Sequence, residues 1–393
     1  MHGRRPDRDE DWRDVADAWR IRPDTVYLNH GSFGPPPIEV SEAQDAWRAR
    51  MREQPMDFFT RRFEPAWIDA RDSLARFLND DPPNVALVEN STVGMNIVAR
   101  SFPLEPGDEV LVNDHEYGAV LKIWRRACDE RGAVVRVAQL PRHCDDPQDA
   151  TRAIWSEAGE RTRLVVVSHI TSPTAITLPV TEICHEARAR RIATCVDGPH
   201  AVAQLPLDMK ALDCDFYTAS CHKWLSAPLG SGFLRVAPRW HERVEPCQWS
   251  WGVLPPRKAE AWWEEFLWTG TRDPSAYLAV PHAIGFLERI GLDAFRARSH
   301  ELAQYARRRL VERFGTKPIT ADSPRWYSSM AHVPLPPGDA RGLQRALWES
   351  HGIEVPIVEF AGERYVRVSC HLYNTMSHID RLLDALGSLC GGE

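Results

Sequence analysis

The sequence predicts an α/β protein in which a mostly parallel sheet is flanked by helices and followed by a smaller C-terminal α/β domain. Three observations support this fold class. Short β-branched runs alternate with stretches of helical periodicity through the first part of the chain. A stretch rich in proline and tryptophan at 246–256 interrupts that alternation. The 393 residues are enough for about two to three domains.

The elements of the first part follow one another in β–α order. Expected strands lie at 85–88, 109–112, 134–137, 164–168, 192–197 and 215–219. Expected helices lie between them at 91–101, 118–131, 149–158 and 181–190. Successive units of this kind form right-handed crossovers between parallel strands. The carboxyl ends of those strands meet at one edge, where ligands bind in open α/β sheets.

The second part begins with a long helix expected at 274–290. Its remaining elements are an amphipathic helix at 292–314, a strand at 330–334, a helix at 340–351, and a strand followed by a helix within 365–389. We therefore expect an N-terminal segment at 1–25 that packs on the small domain, a large domain at 26–280 and a small domain at 281–393.

Composition argues against several classes of function. The net charge is -7 with both signs interspersed, which leaves no basic face for nucleic acid. Apolar runs are too short to span a bilayer, and the N-terminus lacks the apolar stretch of a secretory signal. The nine cysteines are scattered without a C-x-x-C pair, which predicts reduced thiols and no metal site. We expect a cytoplasmic protein with no nucleic-acid or membrane partner.

A lysine follows the last expected strand of the first part. The segment 220–224 has the sequence Ser-Cys-His-Lys-Trp and precedes a loop of small residues at 226–232. A lysine that is desolvated or flanked by cations is partly deprotonated at neutral pH, and such amines form Schiff bases with carbonyl compounds. Taken alone, Lys223 is more simply interpreted as a solvated surface charge.

Asp197 changes that interpretation. It ends the expected strand 192–197 and precedes Gly-Pro-His200. A carboxylate there can pair with a protonated pyridine nitrogen, which makes the ring of pyridoxal 5'-phosphate (PLP) an electron sink; the simpler alternative is a helix cap or turn residue. Since Asp197 and Lys223 follow neighbouring strand ends, both are expected to face one crevice. Together they predict a PLP enzyme that acts on an amino acid.

A phosphate site is expected just after the strand 85–88. Asn90, Ser91, Thr92 and Val93 offer hydroxyls and free backbone N–H groups at the start of a helix. Helix N-termini bind anions through these groups and the helix dipole. The alternative is ordinary helix capping by Ser91 or Thr92.

Two further segments carry candidate site residues. His115 and Tyr117 follow the strand 109–112, and either side chain is placed to lie flat over a cofactor ring. Arg367 alternates with Tyr365 on an expected strand, so both face the same way. The planar guanidinium suits a substrate carboxylate. An isolated histidine is more often structural, and an arginine on a strand more often lies at the surface.

Three segments resemble the signatures of a known family. The segments 27–34 (YLNHGSFG), 266–273 (FLWTGTRD) and 373–375 (YNT) are similar to those of the isopenicillin N epimerase-like branch of class V aminotransferase-fold enzymes. These are fold-type I PLP enzymes, and the resemblance extends from end to end. It implies the PLP-dependent transferase fold, with a mostly parallel seven-stranded sheet in the large domain.

The resemblance also implies roles for single residues. Lys223 would carry the cofactor, Asp197 would bond its pyridine nitrogen, and His200 would lie near its 3'-oxygen. Ser91, Thr92, Val93, Ser220 and His222 would surround the phosphate, with Thr271 supplied by the neighbouring subunit of a homodimer. His115 would stack on the ring, with Tyr117 as its competitor. Arg367 would hold the substrate carboxylate, with Asn29 and His30 nearby.

The branch implies epimerisation or racemisation as the leading hypothesis. Lys223 would remove the α-proton from one face, and a second base would return a proton to the other. Candidates for that base are His115, Tyr117, His200 and His222. The first alternative is a C–S lyase that expels a β-sulfur group; an aminotransferase and a non-catalytic PLP-binding module are less favoured.

Two observations bear on these hypotheses. Cysteine desulfurases of this family use a cysteine on a mobile loop, but 338–351 contains none, and Cys370 lies on or just after the expected strand of Arg367. Persulfide formation on this loop is therefore disfavoured.

Tryptophans 249, 251, 262, 263 and 268 cluster at the expected domain change. Burial of these side chains in a core or dimer interface is favoured over a substrate pocket.

Overall fold

The computed structural model describes residues 3–391. In chain order its strands are β1 (Val26–Tyr27), β2 (Val85–Val88), β3 (Glu109–Asn113), β4 (Val134–Ala138), β5 (Thr162–Ser168), β6 (Ala193–Asp197), β7 (Phe216–Ser220), β8 (Gly232–Val236), β9 (Met330–Pro334), β10 (Ile353–Glu354), β11 (Ile357–Phe360) and β12 (Glu363–Ser369). Its α-helices are α1 (Arg13–Ala16), α2 (Ile38–Glu53), α3 (Pro55–Asp57), α4 (Phe63–Phe77), α5 (Ser91–Ser101), α6 (Gly118–Arg131), α7 (Pro147–Ser156), α8 (Val180–Arg190), α9 (Met209–Leu212), α10 (Ser275–Leu278), α11 (Val280–Ile290), α12 (Leu292–Phe314), α13 (Ala340–His351) and α14 (Met376–Cys390).

The main sheet has seven strands in the order β2-β8-β7-β6-β5-β3-β4. The strands from β3 to β7 pair in parallel, whereas β8 is antiparallel to both β7 and β2. This arrangement confirms the mostly parallel seven-stranded sheet. The sequence analysis missed β8, which directly follows the small-residue loop and turns back along β7 as a hairpin.

Both faces of the main sheet are covered. Along β3 and β5, Leu111 and Val165 belong to one hydrophobic cluster, whereas Val110 and Leu164 belong to another. Successive residues of a strand point to opposite faces, so each face packs on its own layer of helices. The two layers of helices cover the faces of the sheet, and the candidate site residues lie at the edge formed by the carboxyl ends of its parallel strands.

The C-terminal part contains a three-stranded antiparallel sheet in the order β11-β12-β9. Leu302 of α12, Leu347 of α13 and Leu382 of α14 pack in one buried cluster with Val333 and Val366 of this sheet. The expectation of a single helix at 274–290 was wrong, because the structure divides it into α10 and α11 around Ala279. Pro281 lies in the first turn of α11, where its missing N–H costs no hydrogen bond.

The N-terminal segment contacts the C-terminal helices. The fully buried Arg298 of α12 donates a hydrogen bond to the carbonyl oxygen of Pro6 at 2.7 Å and pairs with Asp9 at 2.5 Å. The Asp9 carboxylate also accepts the Met376 N–H at the start of α14. These contacts tie the first helical turn of the chain to the small sheet's helices.

A division into domains near residue 280 is our proposal. All strands of the main sheet precede it and the strands of the three-stranded sheet follow it. However, β1, which starts the range expected for the large domain, pairs in parallel with β10 of the C-terminal part. Residues 1, 2, 392 and 393 of the expected ranges lie outside the described residues.

Within residues 3–391, no helix has the length and apolar character needed to cross a bilayer. The same residues contain no group of three or more His, Cys, Asp or Glu side chains arranged to hold a metal ion. All nine cysteines are unpaired.

Candidate active site

The ends of two neighbouring strands bring Asp197 and the lysine loop together. Asp197 is the last residue of β6 and pairs in register with Thr218 of β7, which ends two residues later at Ser220. The chain then turns through 221–231 before it returns as β8. The turn is held by the N–H of Cys221, which donates to the carbonyl oxygen of Ser231 at 2.9 Å. This closed turn places Lys223 beside the end of β6.

The side chain of Lys223 contacts His200. Its Nζ lies 3.2 Å from Nε2 of His200, and the indole N–H of Trp224 donates to Nδ1 of the same ring at 3.3 Å. Burial, then the charges of Lys223 and Arg367, lower the pKa of His200 well below its usual value. The neutral ring accepts at Nδ1, so its proton is on Nε2 and points at Nζ. That contact requires the neutral amine of Lys223.

The charges around Lys223 favour the same form. Burial and the positive charge of Arg367 lower the pKa of the Lys223 amine to about 8, although Asp197 opposes them. Asp197 is 5% exposed, and its burial raises its pKa, with Lys223 acting in the opposite direction. Lys223 is thus available as a nucleophile, and Asp197 as an acid that a cation would ionise.

A polar cradle lies at the start of α5. The side chain of Asn90 caps the helix by accepting the N–H of Val93 at 3.0 Å. The hydroxyl of Ser220 accepts the N–H of Ser91 at 3.1 Å and lies 3.3 Å from the Ser91 hydroxyl. Thr92 is exposed beside them. The end of β7 and the start of α5 therefore meet, and their donors converge.

His222 lies on the lysine loop, two residues after Ser220 of the cradle. Its Nδ1 is buried and has no hydrogen-bond partner, and burial lowers the pKa of its ring to about 4. A buried ring nitrogen without a partner costs free energy unless a ligand satisfies it. The cradle is therefore suited to an anion with several oxygen atoms.

His115 lies in a buried position at the end of β3. Its Nδ1 is 2.7 Å from the hydroxyl of Thr174, and its ring centroid is 4.4 Å from that of Phe360. Burial lowers its pKa to about 4, despite the nearby Asp114. Tyr117 is 49% exposed. His115 is thus held as a neutral ring, whereas Tyr117 is half exposed, and which of them stacks on a cofactor stays a prediction.

Arg367 extends from the small sheet toward the main one. Its guanidinium donates through Nη1 to the carbonyl oxygen of Ser172 and through Nη2 to the hydroxyl of Ser32, the latter at 3.1 Å. Its Nε is buried without a partner. Burial lowers the pKa of Arg367 to about 10. The guanidinium remains a cation, and its hydrogen-bond partners here are neutral oxygens.

One face of the small sheet carries further side chains that the sequence analysis did not single out. His332 lies opposite Arg367 across β9 and β12, and its ring stacks on Tyr365 with centroids 4.0 Å apart. Its Nε2 is buried without a hydrogen-bond partner. Phe360 of β11 reaches His115. The alternation of side chains in the strand 330–334 indicates which face of that strand His332 occupies. Its pairing with Arg367 depends on the register between β9 and β12, which the sequence does not show.

Glu116 is a second residue that the sequence analysis missed. Its carboxyl group accepts the N–H of Ser168 at 2.9 Å, lies 2.6 Å from the Ser168 hydroxyl and accepts the side-chain N–H of Asn113. Burial raises its pKa to about 8. A neutral carboxylic acid thus ties the end of β3 to the end of β5, next to Asp197 in the sheet.

The first signature segment supports the lysine loop from behind. The ring of His30 is fully buried, with Nδ1 2.8 Å from the Tyr373 hydroxyl and Nε2 3.0 Å from the carbonyl oxygen of Lys223. Both nitrogens are used within the protein, so we propose that His30 positions Lys223 and does not touch substrate. Asn29 donates to Glu354 at 3.1 Å and keeps an unpartnered Oδ1.

Thr271 does not join this constellation through contacts within one chain. It is exposed in the segment before α10. The next residue, Arg272, pairs with Glu89 just before the cradle at the start of α5. Arg272 therefore ties the segment that contains Thr271 to Glu89, which lies between β2 and α5.

Comparison with known proteins identifies the family. The aminotransferase class-V family matches residues 42–382. The chain belongs to the class V aminotransferase family. Isopenicillin N epimerase of Streptomyces clavuligerus is 41% identical over 97% of this chain and 99% of its own length, and that of Amycolatopsis lactamdurans is 37% identical over 96% and 98%. A probable chloroplastic L-cysteine desulfhydrase of Arabidopsis thaliana is 30% identical over 93% and 83%.

Solved structures agree on the fold. The cystine C-S lyase C-DES, in complex with cysteine persulfide, superposes with a TM-score of 0.83 at 23% identity, over 93% of this chain and 97% of that one. The cysteine desulfurase CsdA of Escherichia coli has a TM-score of 0.80 at 22% identity, over 95% and 97%. The fold is that of the fold-type I PLP enzymes, and the chain is a PLP-dependent enzyme.

The residues of this class V enzyme fit PLP. The phosphate matches the unpartnered Nδ1 of His222 and the hydroxyls of Ser91 and Ser220. The aldehyde carbon matches a lysine whose amine is partly neutral near pH 7. The pyridine nitrogen matches the buried carboxyl group of Asp197. The chemistry required at three points of the cofactor is thus present at one edge of the sheet.

Proposed function

We propose that this enzyme is an epimerase or racemase that inverts the α-carbon of an amino acid. The observation that carries the proposal is that the amine of Lys223 and the guanidinium of Arg367 lie close enough for their charges to interact, while the thiols of the neighbouring segments are buried. Cys221 and Cys370 are fully buried, and burial raises the pKa of each thiol to about 12. A persulfide-forming cysteine needs an accessible thiolate, so the site favours proton transfer over sulfur transfer.

Each site residue has a separate role in proton transfer. PLP, when bound, withdraws electrons from the α-carbon of the amino acid attached to it and so acidifies the α-proton. Arg367 binds the substrate carboxylate, which fixes the orientation of the α-carbon. Nζ of Lys223 takes the proton from one face. Asp197 would supply a negative charge to the ring nitrogen of bound PLP, and His200 points its Nε2–H at Nζ of Lys223.

The second proton carrier belongs to the side of the site opposite Lys223. His115 is neutral and has its Nδ1 engaged by Thr174, whereas Tyr117 is exposed. His200 touches Lys223 itself, and His222 faces the phosphate cradle. These positions favour His115 and Tyr117 as the catalytic partners of Lys223 and Asp197.

A C–S lyase is the second candidate. It is supported by the plant relatives named as L-cysteine desulfhydrases and by the fold shared with a cystine C-S lyase. The same site would remove the α-proton and then lose a sulfur group from the β-carbon. The two functions differ only in the fate of the carbon skeleton, which is retained in one and becomes pyruvate and ammonia in the other.

We further infer a homodimer that shares its active sites, located in the cytoplasm. The exposed Thr271 and the exposed Trp249 and Trp251, at 60% and 62%, support a subunit interface near the signature 266–273. Nine unpaired cysteines support a reducing compartment.

Incubation in D₂O tests the proposed reaction. The enzyme loaded with PLP is mixed with isopenicillin N and a panel of L-amino acids, and products are analysed for α-deuterium and configuration. We expect deuterium at the α-carbon together with the opposite configuration, because the returning proton comes from solvent-exchanged groups. Lys223→Ala should abolish both turnover and the visible absorbance of the bound cofactor, whereas the exposed Lys122→Ala should change neither.

The outcomes separate the candidates. Pyruvate and a released sulfur compound from cysteine conjugates would identify the lyase. Neither exchange nor inversion with any amino acid would contradict the epimerase, and turnover retained in Lys223→Ala would contradict the assignment of the lysine.

A further inference from the structure

Glu116 connects two parts of the candidate active site. It belongs to the loop 114–117, which carries both candidates for stacking on the cofactor ring, and its side chain reaches Ser168 at the end of β5. Ser168 in turn pairs in register with Asp197 of β6. One buried side chain therefore spans the space between the loop and the strand next to Asp197.

The strands β3 and β5 stop pairing before they reach the site. Their ladder ends at Leu111 and Val165. However, β3 continues to Asn113 and β5 to Ser168. A crevice between strand ends of this kind is the usual ligand site of an open α/β sheet. Glu116 links the two strand ends through its side chain, beyond the point where their backbone ladder stops.

The hydrogen bonds of Glu116 reach both sides of this crevice. Its Oε1 accepts the N–H of Ser168 at 2.9 Å and the side-chain N–H of Asn113, and its Oε2 lies 2.6 Å from the Ser168 hydroxyl. The Oδ1 of the same Asn113 amide accepts the backbone N–H of His115 at 3.0 Å. The carboxyl group of Glu116 is thus connected through one amide to the backbone of the loop.

These contacts suit a neutral carboxylic acid. Burial raises the pKa of Glu116 to about 8, and the negative charge of Asp197 acts in the same direction. A neutral acid donates its O–H to the Ser168 hydroxyl and accepts at its other oxygen. Directional hydrogen bonds of this kind orient the loop without placing a second negative charge beside Asp197.

We propose that Glu116 is a positioning residue for the cofactor ring, which fixes the loop 114–117 relative to Asp197 through its hydrogen bonds to Ser168 and Asn113. It acts through these neighbours and not by contact with the cofactor or the substrate. This inference rests on the proposed function, since it assumes that a side chain of the loop stacks on the ring of PLP.

Two substitutions separate the hydrogen bonds of Glu116 from its acidity. Glu116→Gln keeps one acceptor and one donor, so PLP affinity and kcat should stay within about twofold of the original values. Glu116→Ala leaves the N–H of Ser168 and the amide of Asn113 without their partner. PLP should then bind about tenfold more weakly and kcat should fall about tenfold. KM should change less, because Arg367 is held by other segments.

Two further measurements report on the loop directly. Visible circular dichroism of the bound cofactor should weaken in Glu116→Ala, because the ring is then less uniformly oriented, and should persist in Glu116→Gln. Hydrogen exchange of the cofactor-free enzyme, measured by mass spectrometry, needs no PLP. Amides of the loop 114–117 should exchange about tenfold faster in Glu116→Ala, because Asn113 no longer holds the His115 N–H in place.

Thr162→Val is the matched control. The Thr162 hydroxyl on β5 donates to Oε2 of Glu109 on β3 at 3.0 Å, so it ties the same two strands at their amino ends. Its loss should lower the melting temperature by a few degrees. PLP affinity, circular dichroism and exchange of the loop should match the original enzyme, because the carboxyl ends are untouched. A general loss of stability is thus distinguished from a loss of positioning.

The contrary outcomes are distinct. Unchanged circular dichroism and loop exchange in Glu116→Ala would overturn the proposal, and so would equal losses in Glu116→Gln and Glu116→Ala. If Glu116→Ala does not fold, Ser168→Ala, which removes one of the contacts, should give a smaller loss of the same kind, and no loss there would overturn the proposal. Absence of α-exchange and inversion with every amino acid would contradict the proposed function alone, because PLP affinity and loop exchange would still report on Glu116.

Discussion

Lys223 owes its reactive form to two neighbouring residues and to burial. His200 points a ring N–H at its Nζ, Arg367 adds a positive charge nearby, and burial removes water from the amine. With a pKa of about 8, roughly a tenth of the amine is neutral at pH 7, against well under a thousandth for an ordinary lysine. The neutral fraction sets how fast the amine attacks a carbonyl carbon.

The rate at which the cofactor-free enzyme takes up PLP should therefore depend on pH. Lowering a lysine's pKa means that the proton leaves at lower pH, so uptake should rise from about pH 6, reach its midpoint near pH 8 and level off above about pH 9. Stopped-flow absorbance at a fixed PLP concentration measures this midpoint. In His200→Phe the midpoint should move upward, since the contact that favours the neutral amine is lost. A midpoint near that of free lysine in the unmodified enzyme would contradict this account.

The sequence located the site residues that lie at the end of a strand or the start of a helix. It did not reveal residues that reach the site through a contact with a segment far away in the chain. Asp197, Lys223 and Ser91 each stand just after an expected strand or at a helix start, so topology alone brings them to one edge. Thr174, Phe360 and Glu116 became visible only through contacts with His115 and Ser168, between segments far apart in sequence. No local pattern encodes such contacts.

At the scale of elements, the junction between α5 and β7 shapes the cradle. Gly94 of α5 faces Thr218 so closely that a methyl group there would overlap the Thr218 hydroxyl. That hydroxyl also lies 3.3 Å from the carbonyl oxygen of Ser91 and 3.2 Å from that of Phe233. The missing side chain lets the start of the helix approach the sheet, which brings Ser91 to Ser220.

Gly94→Ala should push the start of α5 away from β7. Overpacking of this kind costs about 1–3 kcal/mol in unfolding free energy, and PLP affinity should fall because Ser91 and Ser220 separate. Gly118→Ala, at the start of α6, is the matched control, since a methyl group there meets nothing within 4 Å; its unfolding free energy should change by less than about 0.5 kcal/mol. Urea unfolding and PLP titration measure both. Equal effects of the two substitutions would argue against the close approach.

The elements themselves were largely predictable, with two instructive exceptions. Buried parallel strands have unbroken apolar runs, so β3, β5 and β6 stood out. In contrast, β8 begins at Gly232 directly after a loop, and its identity as a strand depends on antiparallel pairing with β7. The division between α10 and α11 depends on where Pro281 falls within a turn, and helix periodicity alone does not locate it.

Across the whole molecule, Trp19 links the N-terminal segment to the lysine loop. Its ring centroid lies 5.1 Å from that of His371 and 5.5 Å from that of Tyr373, and its N–H donates to the carbonyl oxygen of Pro35 at 3.0 Å. Tyr373 in turn contacts His30, which holds the carbonyl oxygen of Lys223. Packing at the chain's start thus reaches the backbone of the lysine through two aromatic contacts.

Trp19→Ala should lower both stability and cofactor retention. Removing a buried tryptophan costs about 3–5 kcal/mol of unfolding free energy, and PLP should dissociate faster because His30 loses its support. Thermal unfolding and the loss of cofactor absorbance after gel filtration measure the two effects. Met56→Ala, which removes a side chain that is 66% exposed, is the control and should leave both close to the original values. Normal cofactor retention in Trp19→Ala would show that the aromatic link carries no constraint.

The pairing of β1 with β10 has a consequence for how the protein is made. Val26 meets Ile353, and the side chain of Asn374 donates to the carbonyl oxygen of Tyr27 at 2.9 Å. During translation, every strand of the main sheet has left the ribosome long before these partners are synthesised. The segment around Val26 and Tyr27 therefore lacks these contacts until residues 353–374 have been synthesised. Lys223 is therefore synthesised well before Tyr373, which supports its backbone through His30.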